Sequence, residues 1–136
     1  MPDNFSLILK NGSCFINGKV QKADIGILNK KIVKIGDLDK DKSKVLDVTD
    51  RVILPGIIDT QVHFREPGST DSEDLESGSR AAVLGGVTSL FEMPNTNPPT
   101  SNLIEFEKKI QLAKNRMHSN YAFYFGATPE NTDQLS

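Results

Sequence analysis

The sequence contains one cysteine, no long apolar segment and no excess of basic residues. With only Cys14 available, the 136-residue chain cannot form an internal disulfide framework. Cys14 lies in a strand-like stretch, where we expect a buried structural thiol rather than a nucleophile. Lys and Arg number 16 against 18 for Asp and Glu, so the net charge of −2 favours no nucleic acid partner.

Membrane and secretion signals are also missing from the sequence. The longest apolar run, residues 52–58, is interrupted by Pro55 and Gly56 and is too short to span a bilayer. The N-terminus lacks the basic region and the apolar core of a signal peptide. We therefore expect a cytosolic protein that does not associate with a membrane.

Residues 1–54 predict a small antiparallel β domain. Turn dipeptides separate its short β-type runs, and both Asn17-Gly18 and, less strongly, Asn29-Lys30 favour hairpins. No residue pattern in this half of the chain indicates a catalytic function. Strands are expected at residues 5–9, 14–16, 23–28, 31–35, 45–48 and 52–54.

Residues 55–136 change to an alternation of strands and helices, which predicts a parallel sheet with right-handed crossovers. A capping box of Thr70 and Glu73 is expected to start the first helix, which ends near Gly85-Gly86. Thr100 or Ser101 is expected to cap the second helix. Strands are expected at residues 57–64, 87–93 and 121–125.

The second helix is expected to bury one side. Its apolar stripe, expected in the core, comprises Leu103, Phe106, Ile110, Ala113 and Met117. Its charged residues, expected to form a solvated face, are Glu105, Glu107, Lys108 and Lys109.

Polar residues recur at every second position of the strand that begins the second half: Asp59, Gln61, His63 and Arg65. Residues two apart on a strand point to the same side, so we expect these four side chains to share a face. Burying them without partners would be costly, which favours a functional site at the carboxyl end of the strand.

This region resembles dihydroorotases and their relatives, the allantoinases and hydantoinases. The resemblance rests on PGIID at residues 55–59, HFREPG at 63–68, ESGSRAA at 76–82, GGVT at 85–88 and MPNTNPP at 93–99. It implies an α/β fold: the start of a (β/α)8 metal-dependent hydrolase barrel, preceded by the small antiparallel β domain. Residues 55–136 would form the first βαβαβ units. Since a whole barrel needs about 250 residues, we expect the barrel to be incomplete in this chain.

The resemblance also implies a chemistry, the hydrolysis or formation of a cyclic amide. In pyrimidine biosynthesis this reaction closes carbamoyl-aspartate to dihydroorotate, with one or two zinc ions that activate water. His63 corresponds to the second histidine of the family's His-x-His metal pair. Arg65 and Asn95 correspond to residues that bind the carboxylate of the small-molecule substrate. Taken alone, Arg65 would be a surface ion pair with Glu66 or Glu73, and Asn95 a turn residue.

Gln61 departs from the family pattern, because it occupies the position of the first metal histidine. An amide oxygen is a poor zinc ligand beside imidazole. The chain could belong to a subgroup with one zinc ion, to a decaying gene, or to a non-catalytic homologue that serves as a structural partner of aspartate transcarbamoylase. The catalytic aspartate and the other metal ligands are expected beyond residue 136, so the chain alone is predicted to be inactive. An allantoinase or hydantoinase activity is disfavoured by the MPNTNP loop.

Overall fold

The computed structural model describes residues 4–39 and 43–135. The chain divides into two compact units, Met1–Pro55 and Gly56–Ser136. Within the described residues, no helix is long and apolar enough to cross a membrane.

The first unit is a five-stranded sheet in the order β3-β2-β1-β4, with β5 also paired to β1. Its first two connections are tight hairpins, as predicted. Asn17 and Gly18 have φ of 51° and 78°, and Asn29 and Lys30 have φ of 51° and 62°, as type I′ turns require. The strands are β1 (Leu7–Ile16), β2 (Lys19–Leu28), β3 (Lys31–Gly36), β4 (Lys44–Asp47) and β5 (Val52–Ile53).

The prediction of a purely antiparallel β domain is wrong. Strands β4 and β5 pair with β1 in the parallel direction, while β1-β2 and β2-β3 are antiparallel. No two-residue turn joins β3 to β4, and a longer connection allows the chain to return in the parallel direction. The runs at 5–9 and 14–16 also belong to one strand, whose register shifts between Leu9 and Gly12.

Buried polar contacts stabilise the first unit. The Asp24 carboxylate accepts hydrogen bonds from Lys10 Nζ at 2.8 Å and from the backbone N–H groups of Asn11 and Leu38. Cys14 is 1% exposed, as expected for a structural thiol, and burial raises its pKa.

The second unit has the predicted alternation. Its three strands pair in parallel in the order β6-β7-β8, and a helix follows each of the first two. The elements are β6 (Ile57–Val62), α1 (Leu75–Leu84), β7 (Val87–Glu92), α2 (Leu103–Ala113), β8 (Asn120–Phe123) and a 3-10 turn (Thr132–Gln134). The buried core consists of Phe64, Leu75, Leu90 and Ala113.

Both helices begin later than predicted. Asp74, not Thr70, caps α1, because its side chain accepts a hydrogen bond from Ser77 N at 2.7 Å and Ser77 Oγ closes the capping box. Asn102 caps α2 by accepting from Glu105 N at 2.9 Å. The end of α1 is as predicted, with Gly86 in the left-handed region at φ 93°.

The predicted orientation of α2 is wrong in part. Ala113 is buried, but Leu103 and Ile110 are 58% and 38% exposed. Lys109, expected on the solvated face, is 1% exposed. Lys109 faces the interior because it forms an ion pair with Glu92, a buried carboxylate at the end of β7.

Candidate active site

Two loops meet at the carboxyl ends of β6 and β7. We call residues 63–68 the first loop and residues 93–99 the second loop. The connection begins at the strand ends, where Met93 N donates to Val62 O at 2.8 Å. Beyond the strands, Asn97 N donates to Pro67 O at 3.1 Å. Both loops therefore lie at the carboxyl ends of parallel strands, where ligands usually bind in α/β folds.

Gly68 allows this close approach. Its φ of 122° is unfavourable for a residue with a side chain. A Cβ atom built on Gly68 would lie 2.8 Å from Asn97 O and 2.9 Å from Asn97 Cβ. The glycine of the HFREPG motif therefore has a steric function, which is to let the first loop lie against the second.

His63 and Asn95 are brought together by these loops. His63 Nδ1 lies 2.9 Å from Asn95 Oδ1, and both residues are exposed. An amide oxygen only accepts hydrogen bonds, so this contact requires Nδ1 to donate, and in the neutral ring with that tautomer Nε2 has the lone pair. A partner on one ring nitrogen is the usual way in which a protein fixes the tautomer of a functional histidine.

The other predicted site residues, Gln61 and Arg65, are exposed. Within residues 4–39 and 43–135, the side chains of Gln61 and Arg65 make no hydrogen bond or ion pair. Asp59 accepts from the backbone N–H of Gln61 at 3.0 Å. Strand β6 shifts register between Asp59 and Val62 and ends there, so the regular alternation that predicted a shared face does not extend to Arg65.

Glu66 has a structural role in this region that the sequence pattern does not reveal. It does not pair with Arg65. It is 7% exposed and accepts from both terminal nitrogens of Arg116, Nη1 at 2.8 Å and Nη2 at 3.0 Å. The same carboxylate accepts from Leu75 N at 2.9 Å, at the start of α1. Burial alone would raise the pKa of Glu66, but the hydrogen bonds from Arg116 and Leu75 lower it. Glu66 thus anchors the first loop to the start of α1 and to the segment that follows α2.

A buried ion pair lies behind the second loop. Glu92 and Lys109 have side chains that are 0% and 1% exposed, with Nζ and Oε2 2.7 Å apart. Burial raises the pKa of Glu92 to about 7, although Lys109 acts in the opposite direction. The ammonium group also lies 3.4 Å from Thr96 Oγ1 and 5.5 Å from the centre of the Phe123 ring.

The described part of the chain does not by itself form a zinc site. It contains no group of three or more His, Cys, Asp or Glu side chains placed to hold a metal ion. His63 Nε2 is one suitable donor, and the exposed Gln61 supplies only an amide.

Comparisons with known proteins identify relatives of the second unit and of most of the chain. The model of the family described as dihydro-orotase-like matches residues 50–131. A dihydroorotase of Thermococcus kodakarensis is 37% identical over 118 residues, which is 87% of this chain and 29% of the relative. An allantoinase of Desulfitobacterium hafniense is 37% identical over 134 residues, 97% of this chain and 30% of the relative.

The fold agrees with these sequence relatives. The solved structure of an L-hydantoinase from Arthrobacter aurescens superposes with a TM-score of 0.80 at 29% identity, covering 93% of this chain and 29% of that structure. The chain thus spans about three tenths of the length of the relatives it matches.

Proposed function

Because the chain belongs to the dihydroorotase-like family, we propose that it forms the first part of a cyclic amide hydrolase, with dihydroorotase as the favoured activity. Residues 55–136 would provide the first βαβαβ units of the barrel. The reaction itself is proposed for a protein of the relatives' length, since the chain spans only about three tenths of them.

The contact between His63 and Asn95 carries this proposal. Because Asn95 Oδ1 accepts from His63, the Asn95 amide presents its NH2 group, which has no hydrogen bond within the described residues. An NH2 group donates hydrogen bonds and therefore suits a substrate carboxylate. Arg65, exposed on the first loop, can add two parallel hydrogen bonds to the same kind of group.

His63 supplies the second part of the proposed site. Its Nε2 lone pair is available to a metal ion while Nδ1 is held by Asn95. In the proposed full-length enzyme, zinc would provide a hydroxide near neutral pH. The role of this chain would then be to orient one ligand and to bind the substrate carboxylate.

Ligand binding by the 136-residue chain tests the carboxylate assignment. Carbamoyl-aspartate should shift the amide resonances of the two loops in a ¹H–¹⁵N NMR titration. Carbamoyl-β-alanine lacks the α-carboxylate that Asn95 and Arg65 are proposed to bind, and it should shift these resonances at least tenfold more weakly. Arg65→Met should abolish the difference. Arg80→Met removes an exposed arginine from α1 and is the matched control. Equal responses to both ligands would refute the dihydroorotase assignment and favour an allantoinase or hydantoinase.

A second candidate function is that of a non-catalytic homologue. It is favoured by Gln61, which stands at the first metal position and is exposed without a side-chain partner within the described residues. Under this proposal the chain would be a structural partner of aspartate transcarbamoylase. Co-purification of the two proteins would support it, and a chain that remains monodisperse and alone would reject it.

A further inference from the structure

The buried pair of Glu92 and Lys109 has a position that the proposed function does not explain. Glu92 is the last residue of β7, directly before the second loop, and Lys109 is in the middle of α2. Both side chains are at most 1% exposed. The pair therefore lies between the strand and the helix, at the base of the loop that carries Asn95.

A charged pair is an unfavourable choice if the site needs only packing. Apolar residues of similar volume are often as stabilising as a buried ion pair, or more so. Glu92 Oε2 lies 2.7 Å from Lys109 Nζ, so the contact is a close ion pair. A buried ion pair is weak evidence for stability, so its position beneath the second loop points to another role.

Lys109 connects this pair to the second loop. Its ammonium group lies 3.4 Å from Thr96 Oγ1, and Thr96 Oγ1 in turn donates to Pro98 O at 3.0 Å. Thr96 directly follows Asn95, whose amide oxygen accepts from His63. Polar contacts thus link the buried carboxylate to Thr96, and the backbone joins Thr96 to Asn95, which contacts the histidine.

We propose that Lys109, held by Glu92, is a positioning residue that fixes the Asn95 amide and through it the tautomer of His63. Without the ammonium group, Thr96 loses its contact with Lys109, and the loop can shift by the few tenths of an ångström that weaken a 2.9 Å hydrogen bond. This inference rests on the proposed function only for the assignment of His63 and Asn95 to the site.

The tautomer of His63 can be read directly, because the chain has only two histidines. Long-range ¹H–¹⁵N NMR at pH 8, where a free imidazole is neutral, distinguishes Nδ1–H from Nε2–H. In the unaltered protein His63 should be mainly the Nδ1–H form. Lys109→Met should convert it mainly to the Nε2–H form, which a free neutral imidazole prefers, while His118 stays unchanged.

Lys108→Met is the matched control. It removes a lysine from the same helix and also breaks an ion pair of 2.8 Å, with Glu105, but Lys108 is 63% exposed. This control should leave the His63 tautomer as it is. Thr96→Val, which keeps the shape and removes only the hydroxyl, should reproduce the effect of Lys109→Met with little loss of stability.

If Lys109→Met does not fold, two other variants still test the proposal. They are Thr96→Val and the apolar pair Glu92→Leu with Lys109→Met. An unchanged His63 tautomer in any folded variant of Lys109 or Thr96 would overturn the proposal. The ligand titration is a separate measurement. Failure of carboxylate binding with an intact tautomer response would reject the proposed function and leave the positioning role standing.

Discussion

The bidentate contact between Glu66 and Arg116 should stabilise the second unit far more than an exposed ion pair of equal length. The perturbation is a double-mutant cycle of Glu66→Gln and Arg116→Met. Glu66 accepts three hydrogen bonds, two from Arg116 and one from Leu75 N, and its side chain is 9% exposed. Removing one member of a fully buried pair costs about 3–5 kcal/mol.

That figure must be reduced for Arg116, whose side chain is 31% exposed and partly screened by solvent. We expect Glu66→Gln to lower the free energy of unfolding by about 2–3 kcal/mol, and the coupling between the two sites to be about 1.5–2 kcal/mol. Urea denaturation followed by circular dichroism measures both quantities.

The matched control is the cycle of Glu105→Gln and Lys108→Met. This pair is also 2.8 Å apart, but Lys108 is 63% exposed, so its coupling should be only about 0.3–0.5 kcal/mol. A Glu66–Arg116 coupling no larger than the control value would refute the inference that the carboxylate anchors the first loop.

The pH dependence of the same contact has a definite sign. The pKa of Glu66 is lowered in the folded state, so the folded protein binds its proton less readily than the unfolded chain does. The contribution of Glu66 to the free energy of unfolding is therefore present at pH values above the ordinary carboxyl pKa and is lost as the pH falls through the lowered pKa. The acid limb of the stability curve should be shallower in Glu66→Gln.

Three further outcomes are expected. Burial raises the pKa of Glu92 from 4.5 to about 7, so the folded state binds this proton more readily than the unfolded chain does. Stability should therefore fall by about 2–3 kcal/mol between pH 5 and pH 8, and this fall should vanish in Glu92→Gln but persist in the exposed control Glu107→Gln. Gly68→Ala should destabilise the chain by about 2 kcal/mol and abolish binding of carbamoyl-aspartate, whereas Gly86→Ala, at φ 93° with open space around it, should preserve that binding; retained binding in Gly68→Ala would contradict the steric role of the glycine. Gln61→His should produce no dihydroorotate turnover in the 136-residue chain supplied with zinc, because the described residues offer no third ligand, and measurable turnover would show that reasoning to be wrong.

Local signals predicted the parts of the fold that depend on few residues. The Asn17-Gly18 and Asn29-Lys30 hairpins follow from two residues that tolerate positive φ. The helix starts were missed because several residues near each start can act as caps, and the one used depends on where the preceding loop is anchored. Leu75 N, the first N–H of α1, is held by Glu66, nine positions away, which fixes the start at Asp74.

The errors at long range share a cause. Amphipathic periodicity placed Lys109 on the solvated face, because a lysine is rarely buried unless it has a partner. The partner, Glu92, belongs to another element and is recognisable only once β7 and α2 pack together. The parallel pairing of β4 with β1 was missed for the same reason. Turn dipeptides indicate the hairpins that join β1, β2 and β3, but no comparable local signal indicates which strand β4 pairs with.

The geometry explains why an asparagine, rather than an aspartate, suits position 95. Its oxygen accepts from His63 Nδ1 and its NH2 group remains free to donate, so one side chain can serve both halves of the proposed site. An aspartate would still accept from the histidine but would repel a substrate carboxylate. Asn95→Asp should therefore keep the Nδ1–H form of His63 while it abolishes the response to carbamoyl-aspartate. Loss of both properties together would mean that the histidine contact depends on the amide itself and that the two roles cannot be separated.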